Sequence, residues 1–248
     1  MERIDQLING GVKIIQSDEV FSFSLDAVLL ADFVQVRQRD QIVDLCAGNG
    51  AVGLFLSQKT QGQITMVEIQ EKLADMARRS VSLNQLDNQI QIATMDLKDS
   101  PQKLGHDFAD VVSCNPPYFV DHQQSIKNPN PYYAIARHEI KTDLATVLAT
   151  SQQLLKTNGH FYMVHRPERL ADIMFACQAH RLAPKRIRFV YPKAGREANM
   201  VLFEAIKNGR PNGIRILPPL VAYTDQNEYT PEVKRILHGE SVTGGSPK

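Results

Sequence analysis

Strand-like and helix-like stretches alternate along this chain, and that alternation narrows the fold more than any other feature. Q-I-V-D-L-C-A reads as a buried strand, and G-N-G-A-V-G-L-F-L-S-Q as a glycine turn opening a helix. I-T-M-V-E-I is a second strand, followed by the amphipathic E-K-L-A-D-M-A-R-R-S-V-S-L-N-Q-L. I-Q-I-A-T-M-D and F-A-D-V-V-S-C-N are the third and fourth strands. T-D-L-A-T-V-L-A-T-S-Q-Q-L-L-K is a helix that Asn158-Gly159 is expected to stop in a left-handed cap. H-F-Y-M-V-H is the fifth strand, and P-E-R-L-A-D-I-M-F-A-C-Q-A-H a helix with Pro167 near its first turn. K-R-I-R-F-V-Y and M-V-L-F-E-A-I-K follow with no helix between them, which implies an antiparallel pair. Ahead of all this, F-S-F-S-L-D-A-V-L-L-A-D-F-V leads into a helix from about Leu25, with Ser24 as its N-cap. The expected fold is α/β, doubly wound, with a mostly parallel seven-stranded sheet and an antiparallel edge pair.

A length of 248 residues suits one large domain. We divide it into an N-terminal closing segment (1–34), a core (35–206) and an extension packed on the core (207–248). No apolar run reaches the roughly 18 residues of a membrane span. The start, M-E-R-I-D-Q-L-I-N-G-G, lacks the apolar stretch of a secretory signal, so a cytoplasmic location is expected. Cys46, Cys114 and Cys177 form no C-x-x-C pair and read as small buried hydrophobes, and no metal is expected.

Gly48-x-Gly50-x-x-Gly53, with Glu68 twenty residues after Gly48, matches a dinucleotide fingerprint. Asp44 argues against a dinucleotide. A carboxylate just ahead of the glycines would repel a pyrophosphate, yet it suits a cationic ammonium, as in S-adenosylmethionine. Glu68 can then accept ribose hydroxyls, and Asp96, ending the third strand, an exocyclic amino group of the adenine. Asn115 ends the fourth strand. Acids often end strands as turn residues, but Asp44, Glu68, Asp96 and Asn115 end four strands in succession, which points to one cofactor crevice.

Directly after V-V-S-C comes N-P-P-Y-F, where Pro116 and Pro117 must end the strand. D-L-C-A-G-N-G, V-E-I, M-D-L and N-P-P-Y in this order resemble the class I S-adenosylmethionine-dependent methyltransferases that act on planar nitrogens. F-S-F-S-L-D-A-V-L-L-A and the P-P-L-V-A-Y tail extend the resemblance to bacterial adenine-N6 methyltransferases of a valine tRNA, which modify the base beside the anticodon. The resemblance implies cofactor contacts at Asp44, Ala47, Gly48, Asn49, Gly50, Glu68, Ile69, Asp96, Leu97 and Asn115. It implies a catalytic loop of Asn115, Pro116, Pro117 and Tyr118. The Asn115 side-chain oxygen and the Pro116 carbonyl would grip the two hydrogens of the target amine. Tyr118, with Phe119 beside it, would stack on the target base. Phe21, Phe23 and Asp26 resemble the segment that closes over the cofactor, though alone they could be a staple and a helix face. Tyr132 and Tyr133 could stack bases or anchor a loop, and His138 and His165 read as structural rather than catalytic.

Net charge divides unevenly. Residues 1–124 hold 10 Lys and Arg against 17 Asp and Glu, a balance of −7, while residues 125–248 carry +8. The stretch with Arg181, Lys185, Arg186, Arg188, Lys193 and Arg196 contains no acid. That pattern suggests an anionic partner, with Arg186 and Arg188 as RNA contacts, although it also fits a solvated surface. The aperiodic stretch 121–138, directly after N-P-P-Y, is long enough to be functional. Three further readings stay open. They are a protein-glutamine N5-methyltransferase of translation release factors, an adenine methyltransferase of rRNA or DNA, and a non-catalytic RNA-binding module.

Overall fold

The computed structural model describes residues 1–7, 11–18, 20, 24–118 and 142–238. In these residues the chain runs β1 (Glu2–Gln6), β2 (Lys13–Ser17), α1 (Leu25–Phe33), β3 (Ile42–Leu45), α2 (Ala51–Leu56), β4 (Ile64–Glu68) and α3 (Glu71–Leu83). It continues with β5 (Ile90–Thr94), α4 (Ser100–Leu104), β6 (Ala109–Cys114), α5 (Leu144–Leu154), β7 (Leu155–His165) and α6 (Leu170–Ala179). The last described elements are β8 (Leu182–Tyr191), β9 (Met200–Lys207), β10 (Arg215–Ile216), β11 (Leu220–Val221) and α7 (Pro231–Leu237).

The main sheet has the order β5-β4-β3-β6-β7-β9-β8, and β10 and β11 both pair with the outer side of β8. β3 to β7 are mutually parallel, and β9 runs antiparallel between β7 and β8. The seven expected strands are all present, and two short strands from the tail bring the sheet to nine. Leu217 donates to the Ile187 carbonyl and Ala222 to that of Tyr191, both at 2.8 Å, so the tail covers an edge that would otherwise be open.

Period-two alternation divides the core between the two faces. On β3, Ile42 joins the cluster under α1 and α2, whereas Val43 and Leu45 join the cluster with Leu144, Val147, Leu148 and Ile173. On β6, Val111 belongs to the first cluster and Val112 and Cys114 to the second. Asp44 and Ser113 are register partners in these neighbouring strands, so their side chains meet on the α1/α2 face. Gly53 lets α2 approach the sheet closely, since a Cβ there would lie 2.3 Å from Met66 Cε. Lys59 holds the end of α1 by donating to the carbonyls of Ala31 (2.8 Å) and Asp32 (2.9 Å).

Two features depart from expectation. β1 and β2 form an antiparallel hairpin, with Ile4 opposite Ile15, docked on α3 through Ile15 N–H to Ser80 Oγ (2.9 Å). Its signal was the N-G-G at 9–11, a tripeptide that favours hairpin turns. Asn158 does take the left-handed conformation, φ 65°, but inside β7 rather than as the cap of α5. There β7 passes from Leu155 to His160 while β6 passes only from Ala109 to Val111, so the extra residues bulge. Gly159 fits the bulge because a Cβ would lie 2.9 Å from the Lys156 carbonyl oxygen.

Candidate active site

The order β5-β4-β3-β6 means that the chain's progress reverses between β3 and β6, and open α/β sheets bind ligands at the carboxyl ends beside such a reversal. A cavity of about 340 Å³ lies there. Its wall takes Cys46 to Asn49 from the end of β3, Glu68 to Gln70 from β4, Met95 to Leu97 from β5, and Asn115 to Tyr118 from β6. Ser24, Asp26 and Ala27 at the start of α1 close another side.

The loop after β3 is built from left-handed residues at every second position, with φ of 56° at Cys46, 59° at Gly48 and 91° at Gly50. A Cβ on Gly48 would meet nothing within 4 Å, so this glycine borders open space. Gly50 has a different task. It caps α2 under the loop, where a Cβ would lie 3.1 Å from Met66 Sδ, and it is not in the wall. Glu68 fastens the loop to β4, accepting from Gly48 N–H and Gln70 N–H at 2.8 Å each. Burial raises its pKa against the lowering effect of those amides. Asn49 Nδ2 donates to the Ile15 carbonyl at 3.1 Å and thereby joins the hairpin to the loop.

Asp44, an expected cofactor contact, sits behind the wall at the end of β3. It is 1 % exposed, lies outside the cavity wall, and accepts from Ser113 Oγ at 2.7 Å. Its Oδ2 is buried without a hydrogen-bond partner, and burial pushes its pKa up to about 7. Asp96 is in the wall, and its Oδ1 also caps the following turn by accepting from Lys98 N–H at 3.0 Å. Ile69 and Leu97 contribute apolar surface beside it.

Tyr118 lines the cavity with its hydroxyl in contact with Asp26 and Asn115, and its ring centre lies 5.4 Å from that of His165. Burial raises the Tyr118 pKa well above the usual phenol range and lowers that of His165 to about 4. Both are therefore neutral at pH 7, and His165 Nδ1 accepts from Arg166 N–H at 2.8 Å. Cys114 and Cys177 are buried, but Cys46 is half-buried and lines the cavity. Gln70, Leu73, Met95 and Thr142 are wall residues that sequence reasoning missed: Gln70, Met95 and Thr142 lie between elements without a periodic signal, and the helical period at Leu73 marks burial rather than a site. Phe21, Phe23, Phe119, Tyr132, Tyr133, His138 and the stretch 121–138 lie outside the described residues.

Arg186 and Arg188, expected to meet a substrate, have other partners. Arg186 Nε pairs with Glu204, and its guanidinium lies 4.7 Å over the Phe33 ring. Arg188 Nε donates to the Pro218 carbonyl at 3.0 Å, and Nη2 pairs with Glu232 of α7 at 2.5 Å. Both side chains are less than a fifth exposed. Charged groups on a strand covered by the chain's own tail meet the protein before they meet solvent, so here they hold the tail and β9.

Among the described residues the wall holds Asp26, Glu68 and Asp96 and no Lys, Arg or His. Gln70 Oε1 and Thr142 Oγ1 are buried in it without partners. A diphosphate would find carboxylates where it needs donors. A ligand bearing a positive charge, hydroxyls and amino groups finds acceptors and open space at Gly48, so the wall fits a cationic nucleoside.

A doubly wound sheet of this order, with its cavity at the switch point, defines a Rossmann-like methyltransferase fold. Residues 11–175 match the methyltransferase small domain family, well over half of the chain, and the chain belongs to that family. It is 28% identical over 217 residues to a tRNA1(Val) (adenine(37)-N6)-methyltransferase of Bacteroides thetaiotaomicron, covering 85% of this chain and 86% of the relative. The enzyme of the same name from Phocaeicola vulgatus is 27% identical over 177 residues, 71% of this chain and 73% of the relative. Among solved structures, a predicted O-methyltransferase from Agrobacterium tumefaciens superposes with a TM-score of 0.68 at 24% identity, covering 87% and 97% of the two chains. No helix among the described residues is long and apolar enough to cross a membrane.

Proposed function

We propose that this chain transfers a methyl group from S-adenosylmethionine to the N6 amine of an adenine in tRNA, beside the anticodon of a valine tRNA. The observation that carries this reading is the meeting, in one cavity, of the Asn115-Pro116-Pro117-Tyr118 loop with a wall rich in carboxylates, whose described residues include no Lys, Arg or His. Relatives named for the same reaction, matched over 73% and 86% of their length, support the choice of substrate. A tRNA substrate puts the work in the cytoplasm.

When bound, S-adenosylmethionine supplies an electrophilic methyl group on sulfur. Glu68 would hold the ribose, Asp96 the adenine amino group, and Ile69 and Leu97 the faces of its ring. Ala47, Gly48 and Asn49 would border the cationic end, with Asp44 behind them at the end of β3. The target amine is a weak nucleophile because its lone pair is delocalised into the ring. Asn115 Oδ1 and the Pro116 carbonyl accept its two N–H bonds and turn the lone pair toward the reacting carbon. Pro116 and Pro117 keep that carbonyl from relaxing away, since their φ is nearly fixed. Placement of this kind needs no strong base, and the proton leaves to water after transfer. Tyr118 offers the base a flat surface, worth on the order of 1–3 kcal/mol in stacking.

Labelled methyl transfer to total tRNA, total rRNA, DNA and release factors, followed by nucleoside and amino-acid analysis, tests the reading. N6-methyladenosine in tRNA is expected. Label confined to glutamine of a release factor, or to another polymer, overturns it.

A further inference from the structure

Asp26 sits in the first turn of α1 and is 7 % exposed. Its Oδ1 accepts from Ala27 N–H at 3.0 Å and from the Ser24 hydroxyl. Its Oδ2 accepts from the Tyr118 hydroxyl, which also touches Asn115 Oδ1. A phenol has one proton, so it cannot donate to both oxygens at once. A carboxylate is the stronger acceptor, and Oδ2 without that proton would face the phenol oxygen with lone pairs opposed. The proton therefore belongs to Asp26. The phenol oxygen is then left against the Asn115 amide oxygen, two acceptors in contact. A half-turn of the amide removes the conflict, because Nδ2 and Oδ1 exchange places while the amide plane stays put.

We propose that Asp26 is a positioning residue: through the Tyr118 hydroxyl it fixes the Asn115 amide with Nδ2 toward the phenol and Oδ1 free in the cavity. The value of that free oxygen to catalysis rests on the reading above, whereas the amide's orientation does not. The relay runs in one direction. Asp26 accepts from Tyr118, Tyr118 accepts from Asn115, and Asn115 keeps its oxygen for an incoming N–H. Packing of the Tyr118 ring on His165 restrains the phenol from the other side. α1 thereby reports on the catalytic loop from 92 residues away in sequence.

The polarity of the relay makes it testable. In D26N the amide oxygen stays with the Ser24 hydroxyl and Ala27 N–H, so its NH2 meets the phenol oxygen. The phenol proton must then turn onto Asn115 Oδ1 and occupy the atom the substrate needs. Y118F removes the hydroxyl, leaving Asn115 unoriented but not blocked. We expect kcat to fall about 100-fold in D26N and about tenfold in Y118F, with KM for tRNA and the cofactor Kd within about threefold of the parent. The double variant D26N/Y118F should match Y118F, recovering about tenfold over D26N, a strong departure from additivity. Additive losses, or D26N turning over like the parent, would overturn the proposal.

A second measurement does not depend on turnover. In the folded parent, NMR should show NOEs between the Asn115 side-chain amide protons and the Tyr118 ring protons adjacent to the hydroxyl, and D26N should lose them. Their absence in the parent overturns the relay whatever the enzyme methylates. Their presence in a parent that methylates no adenine upholds the orientation and sinks the functional reading instead.

Discussion

The carboxyl edge of β3 to β6 and the outer strand β8 both concentrate charge, and they use it in opposite ways. At the edge, Glu68 and Asp96 are bonded to backbone amides, and Asp26 to Ala27 N–H, a serine and a phenol. No cation among the described residues neutralises them within the cavity wall, so their charge faces the opening. On β8, Arg186 and Arg188 are each paired with a glutamate, and Lys185 Nζ donates to the Arg210 (2.6 Å) and Asn212 (2.7 Å) carbonyls. Moreover, the basic residues run along a ten-residue strand, so Arg181 and Arg196 flank opposite ends of β8. Charge left facing a cavity is available to a ligand. Charge answered by the fold's own carboxylates and carbonyls is structure, however dense it looks in the sequence.

The largest effect expected from this contrast is at the edge. Asn115→Ala should lower methyl transfer by about 10²–10³-fold, the range for deleting one polar group that acts on the reacting centre. Cofactor affinity, measured by calorimetry, should change little, because the ribose and adenine contacts lie on β4 and β5. Equal turnover in variant and parent would remove Asn115 from the chemistry.

On β8 the prediction concerns stability. Arg186→Ala leaves the buried Glu204, among the described residues, with His160 and Tyr162, and should cost about 3–5 kcal/mol in urea unfolding. If instead stability holds while tRNA affinity falls, β8 is a binding strand and the contrast fails.

Asp44 sharpens the comparison from below the site. Because burial raises its pKa to about 7, the folded state keeps a proton that the unfolded chain loses near pH 4. Its contribution is full below that range and is lost as pH rises through about 7. Asp44→Asn, which keeps an acceptor for Ser113, should therefore gain on the order of 1–4 kcal/mol relative to the parent between pH 4 and 8. A variant-to-parent difference that is flat over this window would show that the carboxylate is hydrated or paired. His165 has the opposite sign: neutral and buried, it favours folding above about pH 6.5, and this is lost as pH falls toward 4.

The smallest effect should come from the turn after β8, where Lys193 reaches the Asp225 carbonyl, at 3.2 Å. Lys193→Gln should weaken tRNA binding slightly and reduce its salt slope by about one phosphate contact. An unchanged slope would leave the whole basic stretch to structure.

By itself, the sequence determined the seven long strands of the main sheet and the positions of the strand-end polar residues. Ile42, Val43 and Leu45 mark a strand by composition. Gly48 and Gly50 mark a turn by conformational need, and Glu68, Asp96 and Asn115 fall at the next strand ends by spacing. These are local properties, set by backbone geometry and side-chain period. Only the tertiary structure decided partners. Arg186 meets Glu204 and Phe33, Asp44 meets Ser113 below the cavity, and Asp26 meets Tyr118, which turned a helix-face residue into part of the site. The choice between solvent, ligand and partner depends on which distant segment reaches a charged group first. That is a property of packing, which no local pattern encodes.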